Sequence, residues 1–595
     1  MQAELKRDQV EARYKWDLTH IFKTDSDWEK AYQELDREVA DFAAYEGKVK
    51  DTAKDAIRAY FALQDGMMPV YDYAFLAKEA DNGDQNAQEK SDRAMALYVR
   101  LATATAFLVP EMLEMDDEEL GRLESDPDMS DYSEFLRLLR LQKPHTLSKE
   151  QEALMASFGE IFQAPDKIYS MLTSVDMKFD DVLVNGEKKP LTESIYAQYR
   201  ESRDRDVRRD SFQKLFGGYA RLGHTFASIY GTSVKSDVMS ARARKYASAR
   251  QSAMEPLEIP ESVYDNLITV MHESLPLLER YLKLRKKAMG LDELHMYDLY
   301  APIVQDYDME LPYEAAFDLV LEGLKPMGED YLDVLRQART GGWIDVYPTE
   351  NKSGGAFSSG GLAKVHPYVL LNHTDNLNSA FTIAHELGHS MHSYYSNHAQ
   401  PAPKRDYSLF VAEVASTCNE AVMMRYLLTR YTDPKAQAYL LNYFLEQFRT
   451  TCFRQTMFAE FEKKVHDMAE QGIPLTVEAL NDVYLKLNEL YYGAGCVVDP
   501  EIAAEWMRIP HFYRAFYVYV YATGLCCAVT LSEKILRDGE SAVKDYRKFL
   551  SAGCSVPPLE ALKLAGVDMS RPEPLREAMQ VFKRTLDAFE KLLDA

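Results

Sequence analysis

Two histidines four residues apart, His385 and His389, flank Glu386 in the run His385-Glu386-Leu387-Gly388-His389. On a helix, residues four apart lie on one face about one turn apart, so both imidazoles can close on a single metal ion. Glu386 then stands beside them as a carboxylate able to act on water at that metal, which is the pattern of the zincins. Phe381, Ile383, Ala384, Leu387 and Met391 supply an apolar face for such a helix, and Asp375, Asn376 and Asn378 offer caps at its start. The competing reading is a structural histidine pair on an ordinary helix, and the rest of the chain has to decide.

A catalytic zinc takes three protein ligands. His392 shares the face of His385, but seven residues of helix place it about 10 Å along the axis, too far for one ion. The metzincin extension needs Gly at 392 and His at 395, where this chain has His392 and Tyr395. Glu413 is the better third ligand. It is a lone acid among Leu409, Phe410, Val411, Val414, Ala415 and Cys418, where an ionised carboxylate is expensive unless it meets a metal or a cation. Glu420, two turns on, is placed to orient a ligand imidazole, and the alternative for Glu413 is an ion pair with Arg425 or Arg454. A further group, His511 with Tyr513, Tyr517 and Tyr521, offers donors to an oxyanion if the tyrosines form one stripe at helical spacing; an aromatic core stripe is the alternative.

These groups need positioning. Apolar residues at helical spacing run through residues 1–170, for instance from Trp28 to Val39 and from Arg93 to Ala102, and resume from Leu191 to Arg250, Pro260 to Leu291 and Tyr313 to Arg339. Asn185-Gly186 predicts a tight hairpin and marks a boundary between residues 1–190 and residues 191–595. From Thr340 the chain turns glycine-rich, with short β-like runs at Trp343 to Tyr347 and Tyr368 to Leu371. A small sheet is therefore expected to lead into the metal helix, with Tyr368 to Leu371 as the strand that binds a peptide along its edge. The loop Gly354 to Gly361 suits a lid, since it lacks the Lys and Ser/Thr ending of a nucleotide-binding loop.

The stretches His385 to His389, Phe410 to Thr417 and Pro510 to Gly524 together resemble oligoendopeptidase F, the bacterial branch of the thimet oligopeptidase-like zinc metallopeptidases. Lys15 to Phe22, Tyr297 to Pro302 and Trp343 to Pro348 extend the likeness over nearly the whole chain. The resemblance implies a mainly α-helical, clam-like protein of two lobes around a deep substrate channel, with a small β-sheet next to the zinc helix. It implies residues 1–190 as an N-terminal helical lobe and 191–595 as the catalytic domain. It implies a zinc endopeptidase that cuts short unstructured peptides, with one Zn2+ on His385, His389 and Glu413, Glu386 as general base, and His511 and Tyr517, with Tyr521 behind them, stabilising the oxyanion. In the thimet branch the interval from this His to the first functional Tyr is one residue shorter, and Phe516, which cannot donate, stands in that place here.

Composition bounds the partners. In 595 residues with 46% hydrophobic and 27% charged, the net charge of −25 argues against nucleic acid or an anionic membrane surface. The six cysteines include no CxxC pair and read as free thiols; with no signal-like amino terminus and no run of about 18 apolar residues, a cytoplasmic protein is expected. Two rivals stand beside the endopeptidase. A zinc carboxypeptidase would need a basic anchor such as Arg508 or Arg514 for the terminal carboxylate; a non-catalytic peptide binder would have no need of Glu386 and His511.

Overall fold

The computed structural model describes residues 5–304, 307 and 309–594. Along the chain, helix α1 spans Val49–Ala80, strands β1 and β2 span Val182–Val184 and Glu187–Lys189, and helices α2 and α3 span Gly223–Ala243 and Glu261–Ala288. Helix α4 (Tyr313–Gly323), strands β3 (Ile344–Asp345), β4 (Phe357–Ser359) and β5 (Tyr368–Leu370) and helices α5 (Leu377–Ala399) and α6 (Leu409–Arg430) follow. Helices α7 (Arg454–Glu470) and α8 (Tyr519–Asp538) come later. Further helices account for most of the remainder, so the fold is mainly α, as expected.

The chain forms two compact units, each assembled from three stretches of sequence. One holds residues 1–146, 308–427 and 528–568; the other holds 147–307, 428–527 and 569–595. In the first, Trp28 is fully buried and its indole N–H donates to the Val70 carbonyl at 2.9 Å, tying the amino-terminal helices to α1. The helical stretch Gln85–Leu113 has an 18-residue window of mean hydropathy 1.3, enough by length and composition alone to cross a membrane. Its Ala94, Leu97, Leu101, Leu108 and Met112 belong to the core beside Trp28.

The sheet of this unit has the order β3-β5-β4, with β3 parallel and β4 antiparallel to β5. This corrects the expectation for Tyr368 to Leu371. As the middle strand, β5 spends its backbone groups on both neighbours, and among the described residues β4 is an outer strand of the sheet. Two distant motifs meet here: the Tyr368 hydroxyl donates to the Asp17 carbonyl at 2.8 Å, and the Asp17 N–H donates to the Gly342 carbonyl at 2.7 Å.

Asp72 of α1 is buried against β4, where the Ser359 hydroxyl reaches it at 3.4 Å. Burial lifts its carboxyl to about 6, against the pull of that hydroxyl. Below about pH 4 the acid is protonated whether the chain is folded or not; as pH rises through about 6 the folded state must ionise a buried group. Stability is therefore expected to fall over that interval by on the order of 3 kcal/mol. Asp72→Asn should raise Tm over wild type at pH 8 and leave it unchanged near pH 4, and equal melting at both pH values would refute the account.

In the second unit, Asn185 and Gly186 have φ of 51° and 79°, the left-handed pair that closes the β1–β2 hairpin. The stretch Tyr297 to Pro302 is held by arginines. Asp298 is fully buried between Arg205 at 2.9 Å and Arg208 at 2.7 Å, Arg285 donates to the Ala301 carbonyl, and Arg449 donates to the Leu299 carbonyl at 3.1 Å. All six cysteines are free thiols.

Candidate active site

Helix α5 starts where expected: the Asn376 side chain caps it by accepting the Ser379 N–H at 2.9 Å. Its apolar face is buried. Helices α5 and α6 approach closely at Gly388, where a Cβ would lie 2.5 Å from Ser416 Cα and 2.8 Å from the Ala415 carbonyl oxygen. Asn419, fully buried on α6, donates to the Ala384 carbonyl at 3.0 Å and accepts the Tyr331 hydroxyl at 2.9 Å. Sequence reasoning passes over Asn419; its signal is an amide beside Glu420 on a helix whose neighbouring positions Cys418, Ala421 and Val422 are buried.

Between these helices His385, His389 and Glu413 converge. Their donor atoms all lie within 4.8 Å of one another, and this is the one such trio found among the described residues. Glu413 Oε2 is 3.5 Å from His385 Nε2 and 3.8 Å from His389 Nε2. Neither suggested arginine takes Glu413: Arg425 pairs with Glu533 and Arg454 with Glu505. His385 Nδ1 lies 2.5 Å from Glu420 Oε1, so Nδ1 donates to that carboxylate and Nε2 is the ring atom turned towards Glu413. Two imidazole nitrogens and a carboxylate oxygen, with a second carboxylate orienting one ring, are the donor chemistry that zinc prefers, so the residues fit that ion. His392 lies elsewhere, buried and stacked on Tyr407 at 3.6 Å.

Glu386 is 6% exposed. Burial pushes its carboxyl up to about 7, with Glu413 and Glu420 adding to the rise and His385 opposing it. Removing Glu420 by Glu420→Ala is expected to weaken zinc binding about 10- to 100-fold. Competition with a chromogenic chelator measures this, and unchanged affinity would show that Glu420 orients nothing.

His511, Tyr513, Tyr517 and Tyr521 do not form one helical stripe. The chain makes a 3-10 turn over Pro510–Tyr513, reverses, and enters α8 only at Tyr519. Arg514 leaves helical backbone at φ −122° and ψ 83°, and Phe516 has φ of 55°, so the register is broken between Tyr513 and Tyr517. Tyr513 consequently packs inward, 4.6 Å from Tyr169 and 5.9 Å from Tyr230. Tyr517 instead faces His511, their rings 6.3 Å apart and within 1° of parallel, and the Tyr521 hydroxyl lies 3.5 Å from His511 Nε2. The Arg514 guanidinium sits over the Tyr517 ring at 4.4 Å, and burial followed by that cation holds the His511 imidazole below its ordinary pKa.

A mainly helical scaffold carrying this His-Glu-His helix and a glutamate from the next helix defines a metallopeptidase of the HExxH class. The sequence pattern of Peptidase family M3 matches residues 198–581, and that of Oligopeptidase F matches residues 111–179. The chain is 43% identical to Oligopeptidase PepF of Bacillus subtilis, over 99% of this chain and 88% of that protein. A crystal structure of oligoendopeptidase-F from Enterococcus faecium is 36% identical with a TM-score of 0.74, covering 96% of this chain and 99% of that one. A further crystal structure, from Chlamydophila abortus, is 31% identical with a TM-score of 0.92, covering 99% of this chain and all of that one. The chain belongs to peptidase family M3, in its oligoendopeptidase F branch, and is a zinc metalloendopeptidase of oligopeptides.

Proposed function

We propose that His385, His389 and Glu413 hold one zinc ion, that Glu386 moves the proton, and that His511 and Tyr517, with Tyr521, donate to the developing oxyanion as internal bonds of short unstructured peptides are hydrolysed. The observation that carries this reading is the convergence of the three donor atoms within 4.8 Å, with Glu420 fixing the His385 tautomer. Zinc bound there supplies Lewis acidity towards water and the scissile carbonyl. Glu386 takes the proton of the attacking water and returns it to the leaving amine, a task suited to a buried carboxyl held near neutrality. The His511 imidazole and the Tyr517 and Tyr521 hydroxyls are preorganised against one another, so they need little rearrangement to meet negative charge.

The substrate backbone adds to the outer edge of β4. That strand is tied to the zinc helix, since the Ser358 and Ser390 hydroxyls lie 2.9 Å apart, and backbone pairing accepts any side chain. We assign the chemistry to residues 191–595, which contain the matched span 198–581. We place the enzyme in the cytoplasm with peptides as its partners, as the name of its oligopeptidase relative suggests, and the net charge of −25 disfavours nucleic acid and anionic membrane surfaces. Of the two anchors suggested for a carboxypeptidase, Arg508 is engaged by Glu193 and Arg514 lies over the Tyr517 ring.

The test is an internally quenched peptide of about ten residues blocked at both ends. Cleavage that is lost to a chelator and restored by zinc supports the reading. Release only from a free carboxyl terminus, or no cleavage by zinc-loaded protein across a varied library, would overturn it.

A further inference from the structure

Large apolar side chains left in solvent are mostly scattered over this chain, but one set is not. Leu154, Phe158, Ile161, Ile168, Met171 and Val175 are 40–62% exposed. They lie on the helices Lys149–Ser157 and Gly159–Met171 and the π turn Leu172–Asp176. The two helices join at Phe158, whose carbonyl accepts the Ile161 and Phe162 N–H groups at 2.9 and 3.0 Å. Leu154, Ile161, Ile168 and Val175 recur at every seventh position. A strict seven-residue repeat makes a narrow seam suited to one neighbouring helix, not the broad face that packs on a core. The core of this unit takes the other flank: Pro165 and Tyr169 are buried, with the Tyr169 ring 4.6 Å from Tyr513 and 6.2 Å from Phe226.

The seam residues three places after Leu154 and Ile161 are small, Ser157 and Ala164. Two such seams run antiparallel set large against small: Ile161 meets Ala164 of the second copy, Ile168 meets its Ser157, and Met171 closes the end on its Leu154. A parallel pair would put Ala164 on Ala164 and leave a hollow. The flanking charges make the same choice. Glu160 and Lys167 are exposed, and neither is in an ion pair among the described residues. In the antiparallel register each Glu160 meets Lys167 of the other copy, whereas in a parallel pair Glu160 would face Pro165.

We propose that this seam is the contact surface for a second copy of the chain, with the helices paired antiparallel about a two-fold axis near residues 162 and 163. Side chains this exposed present on the order of 600 Å² per copy, and two copies together reach the roughly 1,200 Å² at which specific interfaces begin. A two-fold contact is self-complementary, as the reciprocal Glu160–Lys167 pairing requires. Copies of net charge −25 repel at long range, so association is expected at about 0.15 M salt, where the screening length is about 8 Å.

The experiment is sedimentation velocity on the full-length, zinc-loaded enzyme up to about 100 μM at that salt, where a monomer–dimer equilibrium with Kd of about 1–50 μM is expected. Ile161→Asp puts a charge into the seam of both copies and should raise Kd by at least about 100-fold. Glu160→Lys should weaken the dimer about tenfold, and Glu160→Lys combined with Lys167→Glu should return it to within about threefold of wild type. Since these side chains are exposed, each variant should melt with wild type. A wild type that stays monomeric at 100 μM overturns the proposal, and so does a dimer indifferent to Ile161→Asp. A double charge reversal no tighter than Glu160→Lys alone overturns it as well. If the wild type is monomeric and Ile161→Asp instead raises KM for the blocked peptide, the stripe belongs to the substrate and not to a second copy.

Discussion

Glu386→Gln is expected to lower kcat/KM by about 10³- to 10⁴-fold while zinc content and Tm stay at wild-type values. The size follows from what the substitution removes. Glutamine has the volume and hydrogen-bonding shape of the acid, and Glu386 is outside the trio of converging donors, so neither the α5 helix nor the metal triad has reason to change. What disappears is the only proton-accepting group that α5 presents beside those donors. Burial keeps the wild-type carboxyl near 7, so it can take a proton from water and hand it on to the amine with little free energy lost at either step. Kinetics on the blocked peptide and a metal assay on the same sample make the check. A zinc-replete Gln variant that retains a tenth of wild-type kcat/KM would move the proton transfer to some other group.

The legible and illegible parts of this chain divide by the range of the interaction that decides them. The metal helix is plain in sequence because a four-residue spacing, an Asn cap and an apolar face are all local, and Glu413 is conspicuous because acids avoid apolar company. The role of β5 is not. Its continuous burial reads correctly as a strand, but whether it lies in the middle or at the edge depends on pairing with β3, some 25 residues earlier, and with β4. The tyrosine stripe fails for a different reason. A period of 3.6 assumes right-handed backbone throughout, and Phe516 is a residue type that gives no warning of a positive φ. Packed against it are Tyr264 and His466, residues 50 or more positions away, and no local pattern encodes them.

Gly388→Val is expected to lower activity on the order of 10³-fold without touching a single donor atom. Within His385 to His389 the glycine sits where α5 and α6 come together backbone to backbone, and its missing Cβ would meet Ser416 Cα at 2.5 Å and the Ser416 nitrogen at 2.9 Å. Those contacts are with main chain, which cannot rotate aside, so a branched side chain must drive the helices apart. Glu413 is one turn from Ser416 on the same helix and moves with it, whereas His385 and His389 stay on α5. A separation of about 1 Å opens the 3.5 and 3.8 Å approaches of Glu413 to the two imidazoles and stretches the Glu420 contact to His385. Misplacement on that scale costs about 100-fold in rate, and the loosened ligand set a further tenfold or more in zinc affinity, so activity should fall on the order of 10³-fold. Zinc content should fall with it, and Tm should drop by the few degrees that overpacking of about 1–3 kcal/mol produces in a chain of this size. Restoring excess zinc separates the two contributions, since affinity is recovered by mass action and geometry is not. A Val variant that binds zinc and cleaves as wild type would mean that α5 and α6 are not the rigid pair on which the triad depends.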